Sequence, residues 1–175
     1  LANELMVRHF QTEDYIRASG LPHVIFRNIL YMDTLPLFTA PQVLETGIRL
    51  PAGAGQVAYA LRREMGEAMA HALIAGRYDN RTYHLTGRQA YSFADVAAAL
   101  TAAAGRAVTY EPVEPAAFAA QMRERGVPEL TITRTIGFMT DIRHGQEAEV
   151  SDDLTRLLGR EPTSLAAGVK ELYKL

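Results

Sequence analysis

The chain has 175 residues, 48% of them apolar, a formal net charge of -2 and no cysteine. That suffices for one domain-sized core and excludes disulfides, thiolate metal sites and a cysteine nucleophile. No nucleic-acid partner is expected, because phosphate binding needs a concentrated basic footprint and here Lys and Arg are dispersed among acidic residues.

From Asn3 to Ala18, Leu5, Met6, Phe10 and Ile16 recur at roughly helical spacing and Ser19-Gly20 supplies the stop, which predicts a helix. After Leu21-Pro22, the run His23-Val24-Ile25-Phe26 predicts a strand buried on both faces, as parallel strands are. Helix, tight loop and strand in succession are the return stroke of an α/β unit. Leu35 to Thr46 reads as a helix. Ile48 to Leu50 and Gln56 to Ala60 read as short extended pieces around the turn Pro51-Ala52-Gly53-Ala54-Gly55. Arg63 to Ala75 is a helix ending at Gly76, and Tyr83 to Thr86 a strand.

Ser92 stands three residues before Asp95, a near capping box for an alanine-rich helix through Val96 and Leu100 that closes at Gly105. Ala107 to Tyr110 is a predicted strand. Pro115 to Arg125 and Glu129 to Ile142 are predicted helices, separated by Gly126-Val127-Pro128, and Ser151-Asp152-Asp153 and Ser164 open two more. The pattern alternates α and β and ends mostly helical, which predicts one α/β domain over residues 1–175 without internal repeat or long linker. No apolar run, Val96 to Ala104 included, is long enough to span a bilayer, so no membrane partner is expected; the missing cysteines suit a reducing cytoplasm.

Among candidate motifs, Gly53-Ala54-Gly55-Gln56-Val57-Ala58 matches a dinucleotide fingerprint in form, but it follows Pro51 and leads into an extended run, so a turn is the better reading. The five histidines never pair at a metal-ligand spacing, and no metal is expected. There is no Gly-x-Ser-x-Gly elbow. Lysine occurs only at Lys170 and Lys174, which leaves none in the body of the chain for catalysis.

An ordered set of short matches resembles the NmrA-like branch of the atypical short-chain dehydrogenases, within it the quinone reductases and triphenylmethane dye reductases. The set begins at His9-Phe10-Gln11-Thr12-Glu13, Ser19-Gly20-Leu21-Pro22 and Arg27-Asn28 with Tyr31. It continues through Gly53 to Arg62, Asn80-Arg81-Thr82-Tyr83, Ser151-Asp152-Asp153-Leu154 and Leu157-Leu158-Gly159, so it covers essentially the whole chain. The resemblance implies the C-terminal part of a Rossmann-like parallel sheet with a small, mostly helical substrate-side subdomain. It also implies that the glycine-rich N-terminal half of that fold is absent, in keeping with an opening at Leu1 that reads as the interior of a longer polypeptide. The partners then considered are that missing half or a second copy in a homodimer.

By the same resemblance, the chain works with NADPH or NADH, without flavin, and passes hydride to a small-molecule acceptor such as a quinone or dye. The implied cofactor contacts are His9, Asn28, Ile29, Leu30 and Tyr31, and the implied acceptor contacts Tyr31, Phe138 and Met139. Core packing is the plainer role for Phe138 and Met139, and an interior structural role the plainer one for His9. Typical dehydrogenases place a proton-donating Tyr and a Lys four residues apart on this helix; the matching pair here is Leu5 and His9. Leu5 carries no proton, so positioning dominates and any proton is expected from water or His9. The other reading is an NmrA-type redox sensor that binds dinucleotide without turnover and acts on a protein partner.

Since no glycine-rich loop leads into a helix, the isolated chain is expected to hold the dinucleotide weakly. Calorimetric titration with NADPH and NADH should detect no micromolar binding.

Overall fold

The structure is a computed structural model that describes residues 4–76 and 80–175, with side chains from Val7 onward. The first helix, α1 (Glu4–Ala18), ends where Ser19-Gly20 predicts, with Gly20 at φ +71. Asn3, the predicted first residue, lies outside the described residues. Strand β1 (Val24–Asn28) pairs in parallel with β4 (Arg81–Leu85), with Phe26 opposite Tyr83. Their rings stack at a centroid distance of 5.7 Å, adding an aromatic cross-strand contact to the ladder. The other edge of β4 is capped by Asp153, whose carboxylate accepts the His84 backbone N–H at 3.0 Å and pairs with Arg81.

Behind this pair, α4 (Arg62–Ile74) and α8 (Asp153–Leu158) bury Met65, Ala68 and Ala72 against Tyr83, Leu85, Leu154 and Leu157. A larger core gathers Phe93, Val96 and Leu100 of α5 (Phe93–Ala104) and Leu165 and Val169 of α9 (Leu165–Tyr173). Two further strand pairs border it: β2 (Ile48–Leu50) parallel to β6 (Tyr110–Pro112), and β3 (Gln56–Val57) antiparallel to β5 (Tyr91–Ser92). Helices α6 (Pro115–Glu124) and α7 (Glu129–Arg143) complete this side, contributing Phe118, Met139 and Ile142. No helix among the described residues is long and apolar enough to cross a membrane.

Locally encoded signals appear as read. Ser92 Oγ accepts the Asp95 N–H while Asp95 accepts the Ser92 N–H, a full capping box, and Gly105 closes α5 at φ +67. Ser164 caps α9 through the Ala167 N–H. Two expectations are corrected. Leu35 to Thr46 is two short helices, α2 (Leu35–Thr39) and α3 (Val43–Thr46), broken at Ala40, which precedes Pro41 and takes φ 67; a following proline disfavours helical geometry, which Leu35 before Pro36 adopts only at the start of α2. The strand predicted over Ala107 to Tyr110 is displaced to β6, because the Val108 N–H is taken by Thr101 Oγ1 at 2.9 Å. The apolar residues Phe10 and Ile16 of α1 remain 40% and 37% exposed, and α1 meets β1 through Glu13, which pairs with Arg27, and through Phe10, whose ring lies under the same guanidinium.

An extended thread through the interior, Val57 to Leu61, joins these parts, and each of its residues is at most 1% exposed. Ala58 donates to the Glu147 carbonyl and accepts from Gly87 N–H, while Ala60 accepts from Met32 N–H. The approach of Gly87 is so close that a Cβ there would stand 2.2 Å from the Tyr59 carbonyl oxygen. Gly87→Ala is therefore expected to cost about 2–3 kcal/mol by overpacking against backbone, and Ser92→Ala about 1 kcal/mol by loss of the cap. Urea midpoints at unchanged slope would measure both.

Candidate functional site

The C-terminal end of β1 opens into a cleft of about 740 Å³. One wall is α1, with His9, Phe10 and Ile16; the floor is β1 and the turn after it, Asn28 to Tyr31. Phe138 of α7, Arg62 at the start of α4, His84 of β4 and Glu147 beyond α7 close the remaining sides. In open α/β sheets this position, outside the carboxyl ends of parallel strands, is where ligands bind.

The structure thus brings His9, Asn28, Ile29, Leu30, Tyr31 and Phe138 to one cleft. Met139 is not there. It is fully buried in the core beside Ile142, because neighbouring positions of a helix face different directions and the Phe138 side takes the cleft. The side chain of Leu5 lies outside the described residues.

The turn is built for rigidity. Asn28 Nδ2 donates to Tyr31 Oη at 3.3 Å, and Thr34 Oγ1 donates to the Tyr31 carbonyl at 2.6 Å. The Asp33 carboxylate accepts the first N–H of α4, from Arg62, at 2.8 Å. The Arg62 guanidinium in turn lies 4.5 Å from the Tyr31 ring centroid, a cation–π distance. Asn28 Oδ1, by contrast, is buried without a hydrogen-bond partner. A buried acceptor left open loses free energy unless something donates to it, so it is a candidate ligand contact.

Two carboxyl groups on the cleft sit in opposite environments. Glu13, nearly buried, accepts from Arg27 Nε at 2.8 Å and Arg27 Nη2 at 2.7 Å and also pairs with Arg17. The Arg27 guanidinium holds the Glu13 carboxyl below the usual carboxylate range, against the opposing effect of burial, with Arg17 assisting. Glu147 is 7% exposed, and burial pushes its carboxyl up; the Leu30 backbone pulls it partly back, and the charge of Asp141 adds to the rise. Burial likewise raises the Tyr59 phenol, whose hydroxyl has no hydrogen-bond partner.

Sequence reasoning passed over Glu147, Arg62 and the ion-pair role of Glu13. For Glu13 a signal existed, since it ends the His9 to Glu13 match and Arg27 opens the Arg-Asn match. No local pattern marks Glu147. The Gly53 to Ala58 stretch proves to be the end of a turn at Gly53-Ala54 followed by β3, and a Cβ at Gly55 would stand 2.1 Å from the Ile142 carbonyl oxygen, so this glycine serves packing against α7. Among the described residues, no group of three or more His, Asp or Glu side chains could hold a metal ion.

A mixed α/β chain with parallel strand pairs and a cleft at a strand's carboxyl end has a Rossmann-like architecture. No protein-family model matches the chain. It is 30% identical over 168 residues to quinone oxidoreductase 2 of Escherichia coli (strain K12), an alignment covering 95% of this chain and 58% of that protein. The crystal structure of the NADPH-dependent E. coli enzyme superposes with a TM-score of 0.89, covering 98% of this chain and 62% of that one, at 29% identity. The triphenylmethane reductase of Citrobacter sp. superposes with a TM-score of 0.85 at 31% identity, over 95% of this chain and 58% of that one. An NmrA-like family domain-containing oxidoreductase of Aspergillus flavus is 26% identical over 167 residues, 94% of this chain and 54% of that protein. Over nearly its whole length the chain is similar to these quinone, dye and NmrA-like oxidoreductases, and it spans less than two thirds of the length of these relatives.

The Glu13–Arg27 pair gives a pH prediction. The folded-state pKa of Glu13 is depressed, so its contribution is present above the unfolded value of about 4.3 and lost as pH falls through the folded one. Arg27→Met should destabilise at neutral pH by on the order of 1 kcal/mol, kept small by the 35% exposure of Arg27. The gap between variant and wild-type urea midpoints should narrow as pH falls below about 4.

Proposed function

We propose that this chain forms the nicotinamide-side and acceptor-side part of a flavin-free, NAD(P)H-dependent reductase whose substrates are electron-poor, quinone-like or dye-like molecules. The observation that carries this reading is the cleft itself: a buried, unpartnered acceptor at Asn28 Oδ1 beside apolar walls from Phe10, Ile29, Leu30 and Phe138, at the carboxyl end of a parallel strand. Support comes from relatives at about the same likeness, since the E. coli enzyme has been solved with NADPH and the Citrobacter enzyme with NADP(H).

The residues present fit one end of such a cofactor. A nicotinamide carboxamide offers the N–H donor that Asn28 Oδ1 lacks, and the apolar walls suit its ring. The Gly53 to Ala58 turn does not fit the other end, because Gly55 abuts the Ile142 carbonyl and β3 follows, with no helix N-terminus for a pyrophosphate. The phosphate grip belongs, in this proposal, to the glycine-rich part of the relatives' fold. When bound, the dinucleotide supplies hydride. The chain's own work is positioning: Asn28 and Arg62 hold Tyr31 from two sides, and the apolar walls exclude water from the reacting faces.

Tyr31→Ala and Phe138→Ala, placed in the protein that carries this chain, are each expected to lower kcat/KM for a quinone with NADPH by about tenfold. A fall confined to KM would mark uniform acceptor binding, and an equal fall in kcat and kcat/KM a contact made in the transition state. If both folded variants match wild type, these residues do not wall the pocket. Dinucleotide binding without oxidation by any acceptor would reject the reductase reading in favour of a sensor.

A further inference from the structure

We infer that the Glu147 carboxyl delivers the proton that a neutral quinone needs once hydride has reached it. This rests on the reductase reading above and adds to it a residue in the role left empty by Leu5. Glu147 follows α7 in a turn closed by Gly145 N–H to the Ile142 carbonyl and Gln146 N–H to the Asp141 carbonyl. Its own carbonyl accepts the Ala58 N–H at 3.0 Å, which fastens the turn to the buried thread. The residue lines the cleft that Asn28, Tyr31 and Phe138 also line, and the Leu30 backbone interacts with its carboxyl. Glu147 is therefore a buried acid held at the wall where the acceptor would lie.

Burial, against the Leu30 backbone and with the charge of Asp141 adding, keeps it protonated to higher pH than an ordinary glutamate. Asp141 of α7 and the Tyr59 phenol of the thread face it from the protein side, and both are buried. Arg62, Tyr31 and His84 share the cleft from other elements, and Glu149 follows on its own segment, paired with His84 at 3.1 Å. His9, the other proton source considered, is exposed on α1. A buried acid has the advantage that its proton is delivered inside the water-excluding walls, where a developing phenolate is poorly solvated.

The balance is simple. A quinone takes two electrons and one proton as hydride and becomes a hydroquinone monoanion. The O–H bond of Glu147 breaks, its proton goes to the phenolate oxygen, and the carboxylate left behind is reprotonated from solvent. A cationic triphenylmethane dye, in contrast, becomes neutral on taking hydride at its central carbon and needs no second proton. The two acceptor classes therefore separate proton delivery from everything else the cleft does.

The test uses the protein that carries this chain, NADPH, 1,4-benzoquinone and a cationic triphenylmethane dye, with the isosteric variant Glu147→Gln. Quinone turnover should fall on the order of 10²-fold further than dye turnover, the usual scale for loss of a general acid, with KM little changed. In the wild-type protein, the carbon-13 carboxyl resonance that disappears in Glu147→Gln should titrate above the ordinary glutamate value of about 4.3. Equal losses with both acceptors, or undiminished quinone turnover, would overturn the inference, as would a carboxyl titrating at or below the ordinary value. Wild-type protein that reduces the dye but not the quinone would also overturn it while leaving the reductase reading intact. Failure with both acceptors would refute that reading and this inference with it.

Discussion

The fold hangs on a stretch of backbone with almost no surface of its own. Val57 to Leu61 runs extended through the interior, and its amides and carbonyls bind four other segments: Tyr91 across a short ladder, Glu147 beyond α7, Gly87 after β4, and Met32 after β1. At its end, the Leu61 carbonyl accepts from Glu64 and Met65 and so starts α4. A buried strand must place its polar backbone groups, and those of Ala58, Ala60 and Leu61 find partners in parts of the chain outside the thread. The small side chains at Ala58 and Ala60 and the missing one at Gly87 let these segments approach.

That arrangement locates the cleft. Met32 N–H on Ala60 fixes the turn that carries Asn28 and Tyr31, and Ala58 N–H on the Glu147 carbonyl fixes the opposite wall. Met32 is pinned further, because Gly168 of α9 lies so close that a Cβ there would stand 2.1 Å from its sulfur. The walls therefore belong to one packed body, and a change in thread volume would be felt at both sides of the cleft.

Charge is distributed across the cleft by burial and pairing. Glu13 is held anionic by two guanidinium groups, whereas Glu147 meets burial and a neighbouring acid. Two carboxyls pushed in opposite directions within one cleft are the arrangement by which a fold assigns a structural anion and a proton-holding acid to separate residues. Glu64 and Asp153 show the structural use of buried carboxylates elsewhere in this chain: Glu64 accepts from Thr163 and Arg160, Asp153 from Arg81 and the edge of β4.

What could be read from the sequence was what neighbouring residues determine among themselves. The Ser92–Asp95 capping box, the Gly20 and Gly105 stops, the Ser164 cap, the β-branched run of β1 and the ordered family matches are all short-range patterns, and they placed most elements and the turn carrying Asn28 and Tyr31. Where a distant group decided the outcome, local reading failed. Thr101 took the Val108 amide and moved a strand, the surroundings of α7 turned Phe138 outward to the cleft and Met139 into the core, and α1 was left with Phe10 at the cleft and Glu13 reaching to β1. Glu147 is the clearest case. Nothing in Gln146-Glu147-Ala148 distinguishes it from a solvent-exposed glutamate, and its character comes from the burial and the neighbouring Asp141 that only the folded chain supplies, because a carboxyl's proton affinity depends on the medium and charges around it and not on its place in the sequence.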